Sequence, residues 1–210
     1  MNLPAPTVFI VDDDASILKA LSRLLRAAGL NVVTFNSPLD FLEVYSPSVH
    51  GCVLLDFEMP GLNGLELQQE LTNLGPGIPI IFLSGVANIP MSVGAMKHGA
   101  VDFLTKPVED NDLISAIHAA IAKDQIARRA RMEVAEIRRR LATLTPREYQ
   151  VFIHVVSGRL NKQTAGELGT VEKTTKVHRS RVMEKMHVQS LADLVRMAER
   201  AGINALAPAM

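Results

Sequence analysis

From Thr7 to Ala122 the chain repeats one unit: a short apolar, β-branched run, a polar break, then apolar residues at helical spacing. The apolar runs are Thr7–Val11, Val32–Phe35, Cys52–Leu55, Ile78–Leu83 and Val101–Thr105. Helical stretches follow them: Ile17, Leu18, Leu21, Leu24 and Leu25 closed by Gly29, then Pro38–Tyr45, Gly64–Asn73, Pro90–His98 and Asp110–Ala122. Strands with no polar alternation, separated by helices and short loops, form parallel sheets covered on both faces. The same pattern fits a one-sided antiparallel sheet less well. In the α/β architecture that remains, functional groups gather at the carboxyl ends of the strands.

The polar residues at those ends therefore carry the chemistry. Asp12, Asp13 and Asp14 follow the first strand, Asp56 the third, Ser84 the fourth, and Lys106 the fifth. Clustered carboxylates repel one another and call for a cation. Hard oxygen ligands suit Mg²⁺, which keeps several waters and takes a phosphate oxygen. A metal and a lysine that neutralise phosphate charge while a carboxylate attacks make phosphoryl transfer the indicated reaction. Each residue has a local alternative: Asp13 or Asp14 as a helix cap, Ser84 as a turn residue, Lys106 as a solvated surface cation. Their coincidence at four strand ends favours one site.

Charge divides the chain. Residues 1–123 hold 13 Asp/Glu and 6 Lys/Arg, a net of −7, whereas residues 124–210 hold 9 and 16, a net of +7. An acidic front and a basic back point to two domains with different partners, the second a polyanion. No apolar run is long enough to span a membrane. The single cysteine, Cys52, excludes an internal disulfide and a Cys-rich zinc site. A soluble, cytoplasmic protein without a membrane partner is expected.

Between the halves, Ile126, Ala130, Val134, Ile137, Leu141 and Leu144 step at helical spacing, with no Pro or Gly from 124 to 143. A helical linker continuing the fifth helix is expected, its stripe available to a coiled coil or to its own chain. Thr145-Pro146-Arg147-Glu148 then reads as a capping box with proline at the first helical position. Asn161 is a candidate cap for a second helix ending near Gly169; residues 172–186 and 190–201 complete four helices. A short helix, a turn at Gly169-Thr170-Val171 and a longer basic helix make a helix-turn-helix. Lys176, Val177 and Ser180 suit the major groove and Lys173, Arg179 and Arg181 the phosphates. Thr174 and His178 complete the candidate DNA-binding set, His178 being equally readable as a packing residue.

Val11-Asp12-Asp13-Asp14, Leu55-Asp56-Phe57-Glu58-Met59-Pro60-Gly61, Leu83-Ser84-Gly85 and Asp102-Phe103-Leu104-Thr105-Lys106-Pro107 resemble the receiver domain of two-component response regulators. Leu144-Thr145-Pro146-Arg147-Glu148, Asn161-Lys162-Gln163 and Lys176 through Met186 resemble the LuxR-type helix-turn-helix. Together they resemble the NarL/FixJ family, on the FixJ side. The resemblance implies a flavodoxin-like (βα)5 receiver with a parallel 2-1-3-4-5 sheet over residues 1–123, a helical linker over 124–143, and a four-helix DNA-binding domain over 144–210. It implies Asp56 as phosphoacceptor and Mg²⁺ on Asp12, Asp13, Asp56 and the backbone carbonyl of Glu58. Lys106 becomes the phosphate partner, and Ser84 and Phe103 the switch residues.

The partners implied are a sensor histidine kinase, double-stranded DNA, RNA polymerase, and a second copy upon phosphorylation, in a transcription activator that is not itself an enzyme beyond its own phosphotransfer and autodephosphorylation. Rival readings are a Mg-dependent aspartyl-phosphate hydrolase, a regulator that ignores phosphorylation, and a helix-turn-helix turned to protein contacts. Thr164, Thr170 and Thr175 stand where the family pattern has Ile or Val, and Val171 where a capping Ser or Thr is usual. A DNA-binding domain of modest stability is expected.

Overall fold

The computed structural model describes residues 5–75, 77–85 and 89–203. Among them the chain forms strands β1 (Thr7–Val11), β2 (Asn31–Phe35), β3 (Gly51–Asp56), β4 (Ile80–Ser84) and β5 (Asp102–Thr105). Helices α1 (Ala15–Ala27), α2 (Pro38–Val44), α3 (Gly64–Asn73), α4 (Ile89–Lys97) and α5 (Asp110–Leu141) alternate with them. Then follow α6 (Pro146–Val156), α7 (Asn161–Glu167), α8 (Glu172–Lys185) and α9 (Leu191–Arg200).

The sheet has the order β2-β1-β3-β4-β5 with every neighbouring pair parallel; the apolar pattern predicts the parallel pairing and the family resemblance implies the order. Because side chains alternate along a strand, β3 sends Cys52 and Leu54 to one face and Val53 and Leu55 to the other. The first face packs Val8, Ile10, Ile81 and Leu83 against Leu18 and Leu25 of α1 and Leu113, Ile117 and Ile121 of α5. The second packs Val11, Ile80 and Phe82 against Phe41, Leu67, Leu71 and Ala95. All six residues of β3 are buried, which is why this strand reads as an unbroken apolar run up to Asp56.

The chain divides into two compact units, Met1–Arg128 and Arg129–Met210, with the division inside the 32-residue helix α5. That helix runs through the segment 124–143 read as a linker and ends at Leu141; residues 1–4 and 204–210 of the outer segments lie outside the described residues. Its apolar stripe is only partly covered: Ile126 is 71% exposed, while Ile137 is buried in the core of the second unit. That core comprises Val151, Phe152 and Val155 of α6, Val182 of α8, and Leu194 and Ala198 of α9, with Met186 and Ala201 at the ends of α8 and α9.

Helix starts follow the local chemistry. Asp14 caps α1, Ser37 caps α2 ahead of Pro38, and Asn63 and Glu66 form a reciprocal capping box on α3. Thr145 and Glu148 form the expected box on α6. The expected cap at Asn161 is corrected: Leu160 is the N-cap of α7, and its N–H donates to Gln163 Oε1 at 2.8 Å. Asn161 Oδ1 instead accepts from Arg179 at 3.2 Å. The start of α8 at Val171 has no side-chain cap.

Candidate functional site

In the first unit the parallel register aligns Val11 with Leu55, Asp56 with Leu83, and Ser84 with Thr105. The residues that end or follow β1, β3, β4 and β5 thus share one edge. There Lys106 Nζ donates to Asp12 Oδ2 at 2.7 Å and to Asp56 Oδ1 at 2.5 Å. The other oxygen of each carboxylate is also satisfied: Asp14 N–H donates to Asp12 Oδ1 at 2.9 Å, and Glu58 N–H to Asp56 Oδ2 at 2.8 Å. Asp12, Asp56 and Ser84 are all buried. The main chain ties Lys106 to β4 through its N–H to the carbonyl of Ser84, 2.8 Å.

Burial holds the Asp56 carboxyl above the ordinary carboxylate range; Lys106 opposes that shift and the neighbouring charge of Asp12 adds to it. Burial alone would lower the ammonium pKa of Lys106, but the hydrogen bonds to Asp12 and Asp56 outweigh it and the group is raised. Two carboxylates share one ammonium, so the pocket carries a net negative charge that a second cation would balance.

Asp13 is exposed and lines an open cleft with Phe57, Glu58, Met59 and Asn63 beside the pocket, rather than joining the Lys106 network. Asp14 serves as a helix cap, the local role open to it from sequence. Phe103 is half-buried, its ring 5.7 Å from that of Phe57 and 6.1 Å from that of Phe82. Phe57 and Phe82 were not among the expected site residues. The signal for Phe57 was present, since positions 53, 55 and 57 fall on one face of a strand of period two.

At the opposite end of β3, His50 Nδ1 lies 2.5 Å from Asp124 Oδ2, which also accepts from Gly51 N–H at 3.0 Å. Arg128 donates to the carbonyl of Val49 at 2.8 Å. These bonds fasten α5 to the sheet, and no local pattern announces partners 74 residues apart.

In the second unit, α8 buries Thr175 and Val182 and exposes Lys173, Thr174, Lys176, Val177, Ser180 and Arg181. Lys173, Val177 and Ser180 lie on one outward arc at helical spacing, flanked by Thr174, Lys176 and Arg181. Lys176 pairs with Glu172 at 3.0 Å on that surface. Arg179 and His178 are half-buried; Arg179 reaches Asn161, and His178 Nδ1 is buried without a partner among the described residues. Lys185, the last cation of the helix, turns inward to Glu148 at 2.6 Å and to the Thr143 carbonyl at 3.0 Å. The surface available to a polyanion is therefore the arc from Lys173 to Arg181.

Among the described residues no helix is long and apolar enough to cross a membrane. Residues 8–118 match the response regulator receiver domain, and residues 142–198 match the bacterial regulatory proteins of the luxR family. Nodulation protein W of Bradyrhizobium diazoefficiens is 48% identical over 198 residues, covering 94% of this chain and 87% of that protein. The transcriptional regulatory protein FixJ of the same organism is 39% identical over 196 residues, 93% of this chain and 96% of that one. The solved structure of the response regulator StyR superposes with a TM-score of 0.85 at 46% identity, covering 94% of this chain and all of that one (100%). With a receiver fold in front, a LuxR-type DNA-binding domain behind and relatives matching along nearly the whole length, the chain belongs to the NarL/FixJ family of two-component response regulators.

Proposed function

We propose that this chain is a transcription regulator switched by phosphorylation of Asp56, with a sensor histidine kinase as donor and double-stranded DNA as target. The observation that carries the reading is the Lys106 ammonium held between Asp12 and Asp56 at 2.7 and 2.5 Å. An oxygen of Asp56 attacks the phosphorus of a phosphohistidine; the P–O bond forms as the P–N bond breaks, and the electron pair leaves on the imidazole nitrogen, which takes a proton from solvent. Lys106 then exchanges a carboxylate contact for one to a phosphoryl oxygen, and the Ser84 hydroxyl offers a second donor. A shift of Ser84 toward the phosphoryl group vacates space for the half-buried Phe103 ring, turning a charge event into a change of surface.

Among the described residues no three acidic, His or Cys side chains converge to hold a metal unaided. The donors present fit magnesium in its usual manner, with one or two carboxylates and several waters. Asp12, Asp13, Asp56 and the Glu58 carbonyl would hold it, Asp13 from the rim of the cleft it shares with Glu58. The ion would neutralise charge on the transferring phosphoryl group.

Phosphorylation favours a homodimer that brings two copies of α8 to adjacent half-sites, raising the effective concentration of the second on DNA. Lys173 and Arg181 would meet phosphates, Val177 and Ser180 base edges, with Thr174, Lys176, His178 and Arg179 supporting them. The output is activation through RNA polymerase in the cytoplasm, and the receiver's own chemistry is confined to phosphotransfer and autodephosphorylation.

Incubation of wild type and Asp56→Asn with acetyl phosphate and Mg²⁺ tests the site. Wild type gains one acid-stable, base-labile phosphoryl group and the variant gains none; equal labelling would overturn the assignment. On a promoter fragment, phosphorylated wild type binds more tightly than the unmodified protein and binding falls steeply with salt. Salt-insensitive binding would favour a protein-contact role for α8.

A further inference from the structure

Gly64, the first residue of α3, is buried, and its backbone has no left-handed φ, so conformation does not require glycine there. Space does. A Cβ on Gly64 would lie 2.5 Å from the main-chain oxygen of Asp56, 2.9 Å from Cε1 of Phe82 and 3.1 Å from Cα of Phe57. Gly61, in the preceding turn, is the opposite case: φ is +83° and nothing lies within 4 Å of an added Cβ. The approach at Gly64 is fixed from both sides. Its N–H donates to the Phe57 carbonyl at 3.0 Å, and the Asn63–Glu66 box sets the start of α3. Phe57 N–H in turn donates to the Leu83 carbonyl at 2.9 Å, continuing the sheet beyond Asp56.

We infer that Gly64 is a positioning residue for phosphotransfer: by lacking a side chain it lets α3 rest directly on the Asp56–Phe57 peptide and aims the Asp56 carboxylate at Lys106. The inference rests on the reading of Asp56 as phosphoacceptor. Two of the three clashing atoms belong to main chain, so no side-chain rotation relieves them. Restoring ordinary contact requires α3 and the Asp56–Phe57 peptide to separate by roughly 1 Å. The carboxylate is held at 2.5 Å from Lys106 and 2.8 Å from Glu58 N–H, and it moves with that peptide. The third atom ties the same glycine to the ring group of Phe82, Phe57 and Phe103, centroids 5.5–6.1 Å apart. One missing methyl group therefore sets both the aim of the phosphoacceptor and the packing under the switch ring.

The test is the rate of phosphoryl uptake from acetyl phosphate by the full chain, well below each variant's Tm. Gly64→Ala is expected to slow uptake by roughly ten- to a hundredfold, as a displacement of about 1 Å at a reacting group does. Leu71→Ala, which empties a core position on the same helix away from Asp56, lowers Tm but leaves the rate within about twofold of wild type. Should Gly64→Ala alone fail to fold, Gly64→Ala with Phe82→Leu frees the ring contact and leaves the carbonyl one. That double variant folds and takes up phosphate at least ten times more slowly than Phe82→Leu alone, which is its reference. Uptake by folded Gly64→Ala, or by the double variant, within about twofold of its Gly64 parent would overturn the inference while leaving Asp56 as phosphoacceptor. Failure of wild type to be labelled, or labelling of Asp56→Asn, would overturn both.

Discussion

Asp56 in the receiver unit and Glu148 in the DNA-binding unit are both buried carboxyls bonded to a lysine, yet their pKa values move in opposite directions. At Asp56 burial is the largest influence and outweighs Lys106, which is shared with Asp12, so the carboxyl is held above its ordinary range. Lys185 gives its short 2.6 Å bond to Glu148, and the Thr145 N–H adds another at 2.9 Å. The hydrogen bond from Lys185, with help from Thr145, brings the Glu148 carboxyl from 4.5 down to about 2. An ammonium divided between two carboxylates leaves a site short of positive charge, suited to a metal and a phosphoryl group. An ammonium with one carboxylate makes a structural pin between α6 and α8.

The largest effect expected from this contrast is at Glu148. Replacing it by Gln leaves Lys185 half-buried without its anion and weakens the acceptor for Thr145 N–H, at a cost of about 2–3 kcal/mol. Because the folded carboxyl is depressed, its stabilisation is complete above the unfolded value and is lost as pH falls from 4.5 toward about 2. Hydrogen exchange at α6 and α8 amides measures it: protection drops at pH 7 in Glu148→Gln, with little further change at acid pH. Equal protection in variant and wild type at pH 7 would break the contrast.

This pair also shows what the sequence discloses and what it hides. The capping box at Thr145–Glu148 is local and legible, whereas the Lys185 partner, 37 residues away, is tertiary, and in the sequence Lys185 is simply one more cation of a basic helix. In the receiver the strands are legible because both faces are buried, and the polar residues that interrupt them mark the edge where Asp12, Asp56 and Lys106 meet. The beginning of β4 is less so: the apolar run starts at Ile78, but the strand starts at Ile80, after Pro79, whose ring cannot donate to a ladder. Asn161 has the right side chain for a cap, but Arg179 engages it. His50 and Asp124 lie on elements far apart in the chain, and only the closed fold brings them together.

The opposite sign is expected for Asp56. A carboxyl whose folded pKa is raised stabilises the fold while protonated, and that contribution is lost as pH rises through the folded value. Asp56→Asn, a neutral near-isostere, therefore raises the receiver's Tm by roughly 2–5 °C at pH 7 and by less at pH 3. Calorimetry at the two pH values checks it; a Tm lowered at pH 7 would mean that Lys106 serves Asp56 as exclusively as Lys185 serves Glu148.

The units also differ in how they treat buried hydroxyls. Ser84 sits at the charged edge of the receiver, where a phosphoryl group would use it. Thr164 and Thr175 are fully buried where α7 and α8 pack, and Thr164 Oγ1 has no partner among the described residues. An unpaired buried hydroxyl costs about 1–3 kcal/mol. Thr164→Val keeps the shape and removes the polar atom, so a gain of about 1 kcal/mol in the DNA-binding unit is expected, read as a higher denaturation midpoint with unchanged slope. A loss would reveal a hydrogen bond for the hydroxyl in solution.

The smallest effect concerns helix starts. In the receiver α1, α2 and α3 begin on Asp14, Ser37 and Asn63, each with a side-chain oxygen accepting from the first turn. Helix α8 begins on Val171, which is 65% exposed and whose side chain offers no acceptor, although its φ and ψ of −96° and 152° already suit a cap. Val171→Ser asks nothing of the backbone, loses little burial, and places a hydroxyl beside the Thr174 N–H, which otherwise makes a tight-turn bond to the Val171 carbonyl at 3.0 Å. A gain of about 0.5–1 kcal/mol is expected, concentrated in slower exchange of the first amides of α8. If α8 frays at this end in free protein, the cap also tightens DNA binding, because less ordering is left to the complex. Slower exchange without tighter binding would place the uncapped turn outside the DNA interface, and with it Lys173 and Thr174.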